Sequence, residues 1–288
     1  MFKINPIIEP VLSEHFNRLC NYNDQTYIML RCKYLSQNPA AIHLFDENQN
    51  LIDWEFINAN TEALHIIERA YDTKSYFYLY GILFSNPKAI ELIEKILKNT
   101  PKKVKWFWLS QNPAAIHLLE ENHDLINWRM LSKNPAAIHL LEANQHLINW
   151  EMLSINPAAI HLLEENPHLI NWDMLSQNPA AIHLLEANPD LINWEMLSQN
   201  PAAIHLLEAN PDLIDWIVLA ENPAGIRLFE KNLDKIGITL YKNPSIFVYD
   251  YDKMKQRMDI FREDLMKKIF HPLNVIKWIE EQNEYMLE

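Results

Sequence analysis

Residues 178–199 read NPAAIHLLEANPDLINWEMLSQ, and this stretch decides the fold because it recurs along the chain. Its first nine letters, NPAAIHLLE, occur five times unchanged, and the copies begin 22 residues apart at Asn112, Asn134, Asn156, Asn178 and Asn200. Self-similarity at a fixed period of this length is typical of repeat proteins. The sequence therefore predicts a tandem array of 22-residue units.

Diverged copies extend the array in both directions. They begin at Asn38 (NPAAIHLFD), Asn60, Asn86, Asn222 (NPAGIRLFE) and Asn243. The steps from Asn60 to Asn86 and from Asn86 to Asn112 are 26 residues each, and we expect the four extra residues to form longer loops within 66–106. The array then has about ten units over residues 32–244.

Each unit predicts two short helices. Asn178 before Pro179 indicates an N-cap followed by proline at the first helical position. A first helix of about nine residues follows, and Asn188 ends it in the left-handed conformation that asparagine tolerates. Asn193 then caps a second helix that begins at Trp194. Helices this short are marginal alone, so each unit must bury its apolar side against its neighbours, as in a solenoid.

Leucine-rich repeats share this period and follow the pattern LxxLxLxxN. Laid on Leu191, that pattern requires an asparagine at position 199, but Gln199 stands there and the asparagine comes one residue later. Proline and two alanines then favour a helix start over a strand. We therefore predict an all-α fold, an elongated α-solenoid of two-helix units. Residues 1–31 and 245–288 break the period and are expected to be N- and C-terminal helical caps.

Units of the form LSxNPxAIxLLExNxxxIxW resemble the short tandem repeats of proteins from giant viruses that infect amoebae. The segment from Phe261 through His271-Pro272 to Trp278 is similar to the tail that often closes such proteins. The resemblance covers about residues 33–244 and 250–280. It implies a helical repeat fold and a viral source. It brings no catalytic residues to this chain.

Tryptophan recurs at one fixed position within the repeat unit, and such a position is called a phase of the repeat. A row of aromatic rings can stack the bases of single-stranded nucleic acid, but the formal net charge of -13 repels phosphate backbones. Tryptophan at a fixed phase beside leucine and isoleucine predicts a structural ladder between units instead. Its members in the regular units are Trp128, Trp150, Trp172, Trp194 and Trp216.

Histidine recurs at a second phase, for example at His161, His183 and His205. Histidine clusters bind metals, yet equivalent residues of stacked units should lie about 10 Å apart. No second histidine or cysteine lies three or four residues away within a unit. We therefore expect surface histidines beside glutamates, with no metal and no cofactor.

Catalysis finds little support in the sequence. The serines and histidines repeat identically in every regular unit, and 3 glycines leave no phosphate-binding loop. The N-terminus lacks a signal-peptide core and no apolar run is long enough to cross a membrane. We therefore expect a protein that is neither secreted nor membrane-bound. The viral source that the resemblance implies would place it in the cytoplasm of an infected cell or in the virion.

Differences between units are confined to a few phases, which predicts exposed positions that contact a partner. The candidates are Arg129, Lys133, Ile155, His123, His146 and His168. These observations favour a non-catalytic scaffold for a protein partner, either another protein or a second copy of this chain. The alternatives are a self-associating structural component of a virion or assembly and, less favoured, an enzyme with its site in an end region. No small-molecule substrate, nucleic acid or membrane is expected as a partner.

Overall fold

A computed structural model describes residues 2–6, 8, 9, 32–45, 52–58, 60–72 and 81–249. The chain divides into two compact bodies, Met1–Asn5 with Phe247–Glu288, and Pro6–Ile246. The first body holds an antiparallel pair of strands, β1 (Phe2–Ile4) and β2 (Phe247–Tyr249), with Lys3 opposite Val248. The sequence analysis did not predict this pair. Most of the expected caps, and the tail over 250–280, lie outside the described residues.

The second body holds the repeats, and each unit is named below by its first asparagine. Its α-helices are Trp54–Ile57, Leu64–Asp72, Ile90–Asn99, Trp106–Leu109, Ile116–Glu121, Trp128–Ser132, Ile138–Ala143, Trp150–Ile155, Ile160–Glu165, Trp172–Ser176, Ile182–Ala187, Trp194–Ser198, Ile204–Ala209, Trp216–Leu219 and Ile226–Lys231. Short 3₁₀ helices precede or join them at Pro39–Leu44, Gly81–Ser85, Pro87–Ala89, Pro101–Lys103, Pro113–Ala115, His123–Leu125, Pro135–Ala137, Gln145–Leu147, Pro157–Ala159, Pro167–Leu169, Pro179–Ala181, Pro189–Leu191, Pro201–Ala203, Pro211–Leu213, Pro223–Gly225, Leu233–Lys235, Ile238–Lys242 and Pro244–Ile246.

Each regular unit has four parts in a fixed order. In the Asn178 unit these are a proline turn (Pro179–Ala181), a first helix (Ile182–Ala187), a middle turn (Pro189–Leu191) and a second helix (Trp194–Ser198). The proline turn and first helix together span the nine residues that the sequence predicts (3 + 6). This regular array of short helices confirms the prediction of an all-α repeat solenoid.

Two of the three asparagine phases cap helices as predicted. The Oδ1 atom of Asn178 accepts a hydrogen bond from the Ala180 amide at 3.0 Å. The Oδ1 atom of Asn193 accepts one from the Met196 amide at 3.1 Å. The prediction for Asn188 is wrong, because its φ of -135° and ψ of 61° are not left-handed. Its side chain instead donates a hydrogen bond back to the Leu184 carbonyl at 2.9 Å, which satisfies the end of the first helix.

The first asparagine of each unit also joins that unit to the one before it. The Nδ2 atom of Asn178 donates hydrogen bonds to the carbonyls of Ser154 at 2.9 Å and Asn156 at 3.1 Å. Asn178 is completely buried, and both its side-chain nitrogen and its side-chain oxygen have partners inside the protein. We call this repeated contact the asparagine ladder. Its other members that donate to the preceding unit are Asn38, Asn60, Asn112, Asn134, Asn156, Asn200, Asn222 and Asn243.

A buried serine completes the junctions that follow the regular units, at Ser132, Ser154, Ser176 and Ser198. The Oγ atom of Ser176 donates to the Trp172 carbonyl at 2.8 Å and accepts from the Asn193 amide of the next unit at 3.0 Å. Buried polar groups are costly without such partners. The Ser176 hydroxyl therefore fixes the second helix of one unit against the cap of the next.

The array closes on itself. The Nδ2 atom of Asn38, in the first unit, donates to the carbonyls of Tyr241 at 2.8 Å and Asn243 at 2.9 Å. The ladder asparagines of the regular units use the same two carbonyl positions in the unit before them. The Lys242 ammonium also lies 5.3 Å from the centre of the Tyr34 ring. The first unit thus packs against the last, and the ten units form a ring.

Ring closure changes one part of the predicted architecture. The predicted elongated form is wrong, because hydrogen bonds join the two end units. The turn between successive units decides whether an array stays open, and it depends on small differences in side-chain packing at each junction. Closure also removes the need for caps on the described units, since the two end units cover one another.

The ladder has one gap, between the Asn60 and Asn86 units. The Nδ2 atom of Asn86 is buried and has no hydrogen-bond partner among the described residues. The Lys88 ammonium bridges this junction at the surface, 2.6 Å from an oxygen of Glu62. The first helix of the Asn86 unit, Ile90–Asn99, has 10 residues against 6 in the Asn178 unit. The prediction that the extra residues form a loop is therefore wrong here, since they add one helical turn.

The tryptophan ladder is less buried than predicted. Trp128, Trp150, Trp172, Trp194 and Trp216 each begin a second helix and keep part of their side chain exposed. The fully buried positions of a unit hold smaller residues, as in Ala181, Leu185, Leu197 and Ser198. The tryptophan rings therefore lie at the border of the interior rather than inside it.

Candidate functional site

The candidate site consists of exposed side chains that take no part in the junctions between units. Because the ladder asparagines and serines use their polar atoms inside the ring, the exposed side chains of the second helices and middle turns can vary without breaking a junction. The predicted contact residues lie on three surfaces.

The first surface follows the residue after each tryptophan. It runs through Phe107, Arg129, Glu151, Asp173, Glu195 and Ile217. The guanidinium of Arg129 lies 3.4 Å from the Glu151 carboxylate in the next unit, and the side-chain amide of Asn193 donates to Asp173 at 2.9 Å. The side chain of Ile217 is 70% exposed. This column therefore places apolar, basic and acidic groups at equivalent points of successive units.

The second surface follows the residue before each ladder asparagine. It holds Lys133 and Ile155, which the sequence analysis expected to be exposed but which are half-buried. Side chains in this column contact each other along the ring. Gln177 donates to Gln199, and Glu221 accepts from Gln199 at 3.2 Å and from Lys242 at 2.7 Å. Burial in this column lowers the pKa of the Lys133 ammonium.

The third surface consists of the middle turns. His123, His146 and His168 are exposed there, as expected. The His123 ring packs edge-on against Trp128, with ring centres 5.3 Å apart. The structure does not bring the three histidines into hydrogen-bonding contact with one another among the described residues.

Exposed leucines on the middle turns were missed by the sequence analysis. Leu125, Leu191, Leu213 and Leu233 are between 38% and 48% exposed. Asp124, Asp190, Asp212 and Asp234 are exposed next to them. One feature of the sequence indicates that this phase is exposed. Two units after Leu191, the equivalent position holds Lys235.

The histidine column lies on the first helices and contacts glutamates of the preceding unit. The Nε2 atom of His183 is 2.9 Å from an oxygen of Glu164, and that of His205 is 3.0 Å from an oxygen of Glu186. Both histidines are exposed, so each pair contributes little to stability. Within the described ranges, no three His, Cys, Asp or Glu residues are grouped so that they could hold a metal ion.

A shallow cleft lies at the ladder gap. It has a volume of about 360 Å³ and is lined by Glu68 of one unit and by Glu91, Leu92 and Lys95 of the next. Its lining is mostly charged. Ligand pockets are usually apolar with a few convergent polar groups, and this cleft does not have that character.

No protein-family model, curated protein or solved structure matches this chain. In the part of the chain that the structure describes, the helices are all too short to cross a bilayer.

Proposed function

We propose that this protein is a non-catalytic scaffold that binds protein partners on the outer side chains of a closed ring of helical repeats. One observation carries the proposal: in the regular units the residues that build the junctions are constant and buried, whereas the exposed residues of the second helices and middle turns differ between units. Asn178 and Ser176 are completely buried, while Arg129, Asp173 and Ile217 occupy one exposed phase.

The charge of the chain supports a protein partner over a nucleic acid. A net charge of -13 repels phosphate, and it attracts basic protein surfaces. The identical repetition of serine and histidine supports the non-catalytic part of the proposal, since a catalytic group needs one fixed set of neighbours. The resemblance to giant-virus repeats extends the proposal to a place of action in the infected cell or the virion.

The test compares the full-length protein with two sets of variants as bait in cell extracts. The first set replaces Arg129, Glu151, Asp173 and Glu195 by alanine, and the control set replaces His139, His161, His183 and His205 by alanine. Both sets lie on exposed helix faces and should keep the thermal midpoint of the parent. Stoichiometric partners that are retained by the control and lost from the first set would support the proposal. Equal recovery from both sets would contradict it.

Self-association is the second candidate, and the exposed Ile217 and Leu213 favour it. Light scattering over a range of protein concentrations separates the two. A mass that stays at that of one chain, 34.1 kDa, supports a scaffold for other proteins. A mass that grows with concentration supports a component that packs against its own copies.

A further inference from the structure

The middle turns of three consecutive units present leucine and aspartate side by side. Leu191, Leu213 and Leu233 are 45%, 48% and 38% exposed. Asp190 and Asp212 are exposed, and among the described residues neither carboxylate has a hydrogen bond or ion pair. We call Asp190, Leu191, Asp212, Leu213, Leu233 and Asp234 the leucine–aspartate rim.

The fold itself does not require these leucines. The equivalent residues Leu147 and Leu169 are half-buried, while Lys235 holds the same phase as Leu191 with its ammonium 3.2 Å from Asp234. Four of the seven large hydrophobic side chains exposed in the described residues lie in middle turns. Large apolar side chains gathered on one surface are typical of contact sites.

We propose that the leucine–aspartate rim binds a basic amphipathic helix of a protein partner. This inference rests on the proposed scaffold function and names the chemistry of its partner. Equivalent positions in packed neighbouring units lie about 10 Å apart, and seven residues of an α-helix advance about 10.5 Å. Leu191 and Leu213 hold equivalent positions, whereas Leu233 stands two residues earlier in its unit. A helix with an aliphatic residue at every seventh position can therefore place one side chain against Leu191 and the next against Leu213, and Leu233 adds apolar surface in the following middle turn.

Charge complementarity gives the partner its second property. The free carboxylates of Asp190 and Asp212 are placed to pair with lysine or arginine that flank the aliphatic residues. Such pairs at an exposed surface steer association and set its register more than they add affinity. The leucines are therefore expected to set the strength of binding, and the aspartates to set its salt dependence.

The test uses a fluorescein-labelled helical peptide of about 21 residues. It carries leucine at every seventh position with lysines on the same face, and a second peptide of equal charge has serine in place of leucine. Fluorescence anisotropy measures binding of each to the full-length protein. We expect the leucine peptide to bind at least about tenfold more tightly, because each leucine buries apolar area on the rim.

Two pairs of variants locate the binding. Leu191→Ser with Leu213→Ser should weaken binding of the leucine peptide about tenfold or more. Asp190→Asn with Asp212→Asn should reduce its salt dependence. The matched control is Asp124→Asn with Leu125→Ser, which alters an isolated copy of the same pair next to turns that carry His146 and His168. The control should change the affinity less than about twofold.

Three results would overturn the inference. The first is that the two peptides bind equally, and the second is that the rim and control variants weaken binding equally. The third is that sedimentation shows a dimer of the parent protein that Leu191→Ser with Leu213→Ser abolishes. The first two would leave only general attraction to an acidic protein, and the third would make the rim a contact between copies. If partners are recovered from cells but the peptide does not bind, the proposal for the rim is wrong and the scaffold proposal still stands.

Discussion

The side-chain amide of Asn38, in the first unit of the ring, donates a 2.9 Å hydrogen bond to the carbonyl of Asn243, in the last. The two residues are 205 positions apart in the chain. Their contact repeats the one between Asn178 and Asn156, which are 22 apart. One asparagine geometry thus both stacks the units and closes the ring, so the stability of the ring can be tested at single residues.

The asparagine ladder should dominate the stability of each junction. Asn178→Ala removes an N-cap and two buried donors, and we expect a loss of about 2–4 kcal/mol. Asn86→Ala is the matched control, because its Oδ1 atom caps Lys88 but its Nδ2 atom has no partner among the described residues. It should cost only about 1 kcal/mol, the value of a cap. Chemical denaturation followed by circular dichroism measures both. Equal losses would show that the donors to the preceding unit contribute little.

Closure predicts that the first unit behaves as an interior one. Asn38→Ala should cost as much as Asn178→Ala, because each removes the same cap and the same two donors. In an open array Asn38 would have no unit before it, and its replacement would cost only about 1 kcal/mol. A loss that small in the same denaturation experiment would show that the ring is open in solution.

Capping and bridging at the Asn178 phase were not equally predictable from the sequence. The bond from the Ala180 amide follows from an asparagine before a proline. The bonds to Ser154 and Asn156 do not, because their acceptors are backbone carbonyls that any residue supplies. One signal was present nonetheless: Asp215 replaces asparagine at the other capping phase, whereas all ten units keep asparagine at this one. Serine, threonine and aspartate could also cap a helix there, so the bonds donated by Nδ2 explain why asparagine is kept at this phase.

Closure and the surface were harder to foresee for a physical reason. The repeat shows that units stack, but the angle between them depends on side-chain fit at each junction. Exposure of His123, His146 and Arg129 could be predicted from variation between units. The half-buried Lys133 and Ile155 vary as much, because their column tolerates any pair of neighbours that can contact each other. The exposure of Leu191 was not predicted, although Lys235 at the same phase indicated it.

Trp172 should still stabilise its junction although part of its ring is exposed. A partly covered indole removes a large apolar area from water, so Trp172→Ala should cost about 3–5 kcal/mol. Trp172→Phe keeps most of that area and should lose less than about 1.5 kcal/mol. Thermal melts of the two variants beside the parent provide the comparison. Similar losses in both would indicate that the indole has a specific contact that phenylalanine cannot make.

Lys133 gives the protein a pH-dependent weakness. Burial lowers the pKa of its ammonium from the ordinary value of 10.5, so the charge opposes folding wherever the folded protein still carries it. This penalty is full below the lowered pKa and disappears as the pH rises through that value to 10.5. Lys133→Gln, which places the residue of positions 177 and 199 there, should stabilise the protein slightly at neutral pH, because it removes the half-buried charge. The gain should shrink at pH near 10. A gain that grew with pH would contradict the buried position of the ammonium.

Removal of one whole unit tests modularity and closure together. Deletion of residues 156–177 joins Ile155 to Asn178. The repeat then continues in register, because one complete 22-residue unit has been removed. Ten units turn about 36° each and nine would turn about 40°, a change well inside the 15–20° scatter of helix packing angles. The shortened ring should therefore fold and close, with a modest fall in its thermal midpoint. Deletion of residues 156–165 removes a proline turn and a first helix instead, and it should unfold locally or aggregate. If both deletions are tolerated or both prevent folding, the chain is not built from independent 22-residue units.

Asn38→Ala in the nine-unit protein tests whether that ring is closed. It should again lower the free energy of unfolding by about 2–4 kcal/mol, and a loss near 1 kcal/mol would mean that nine units leave the ring open.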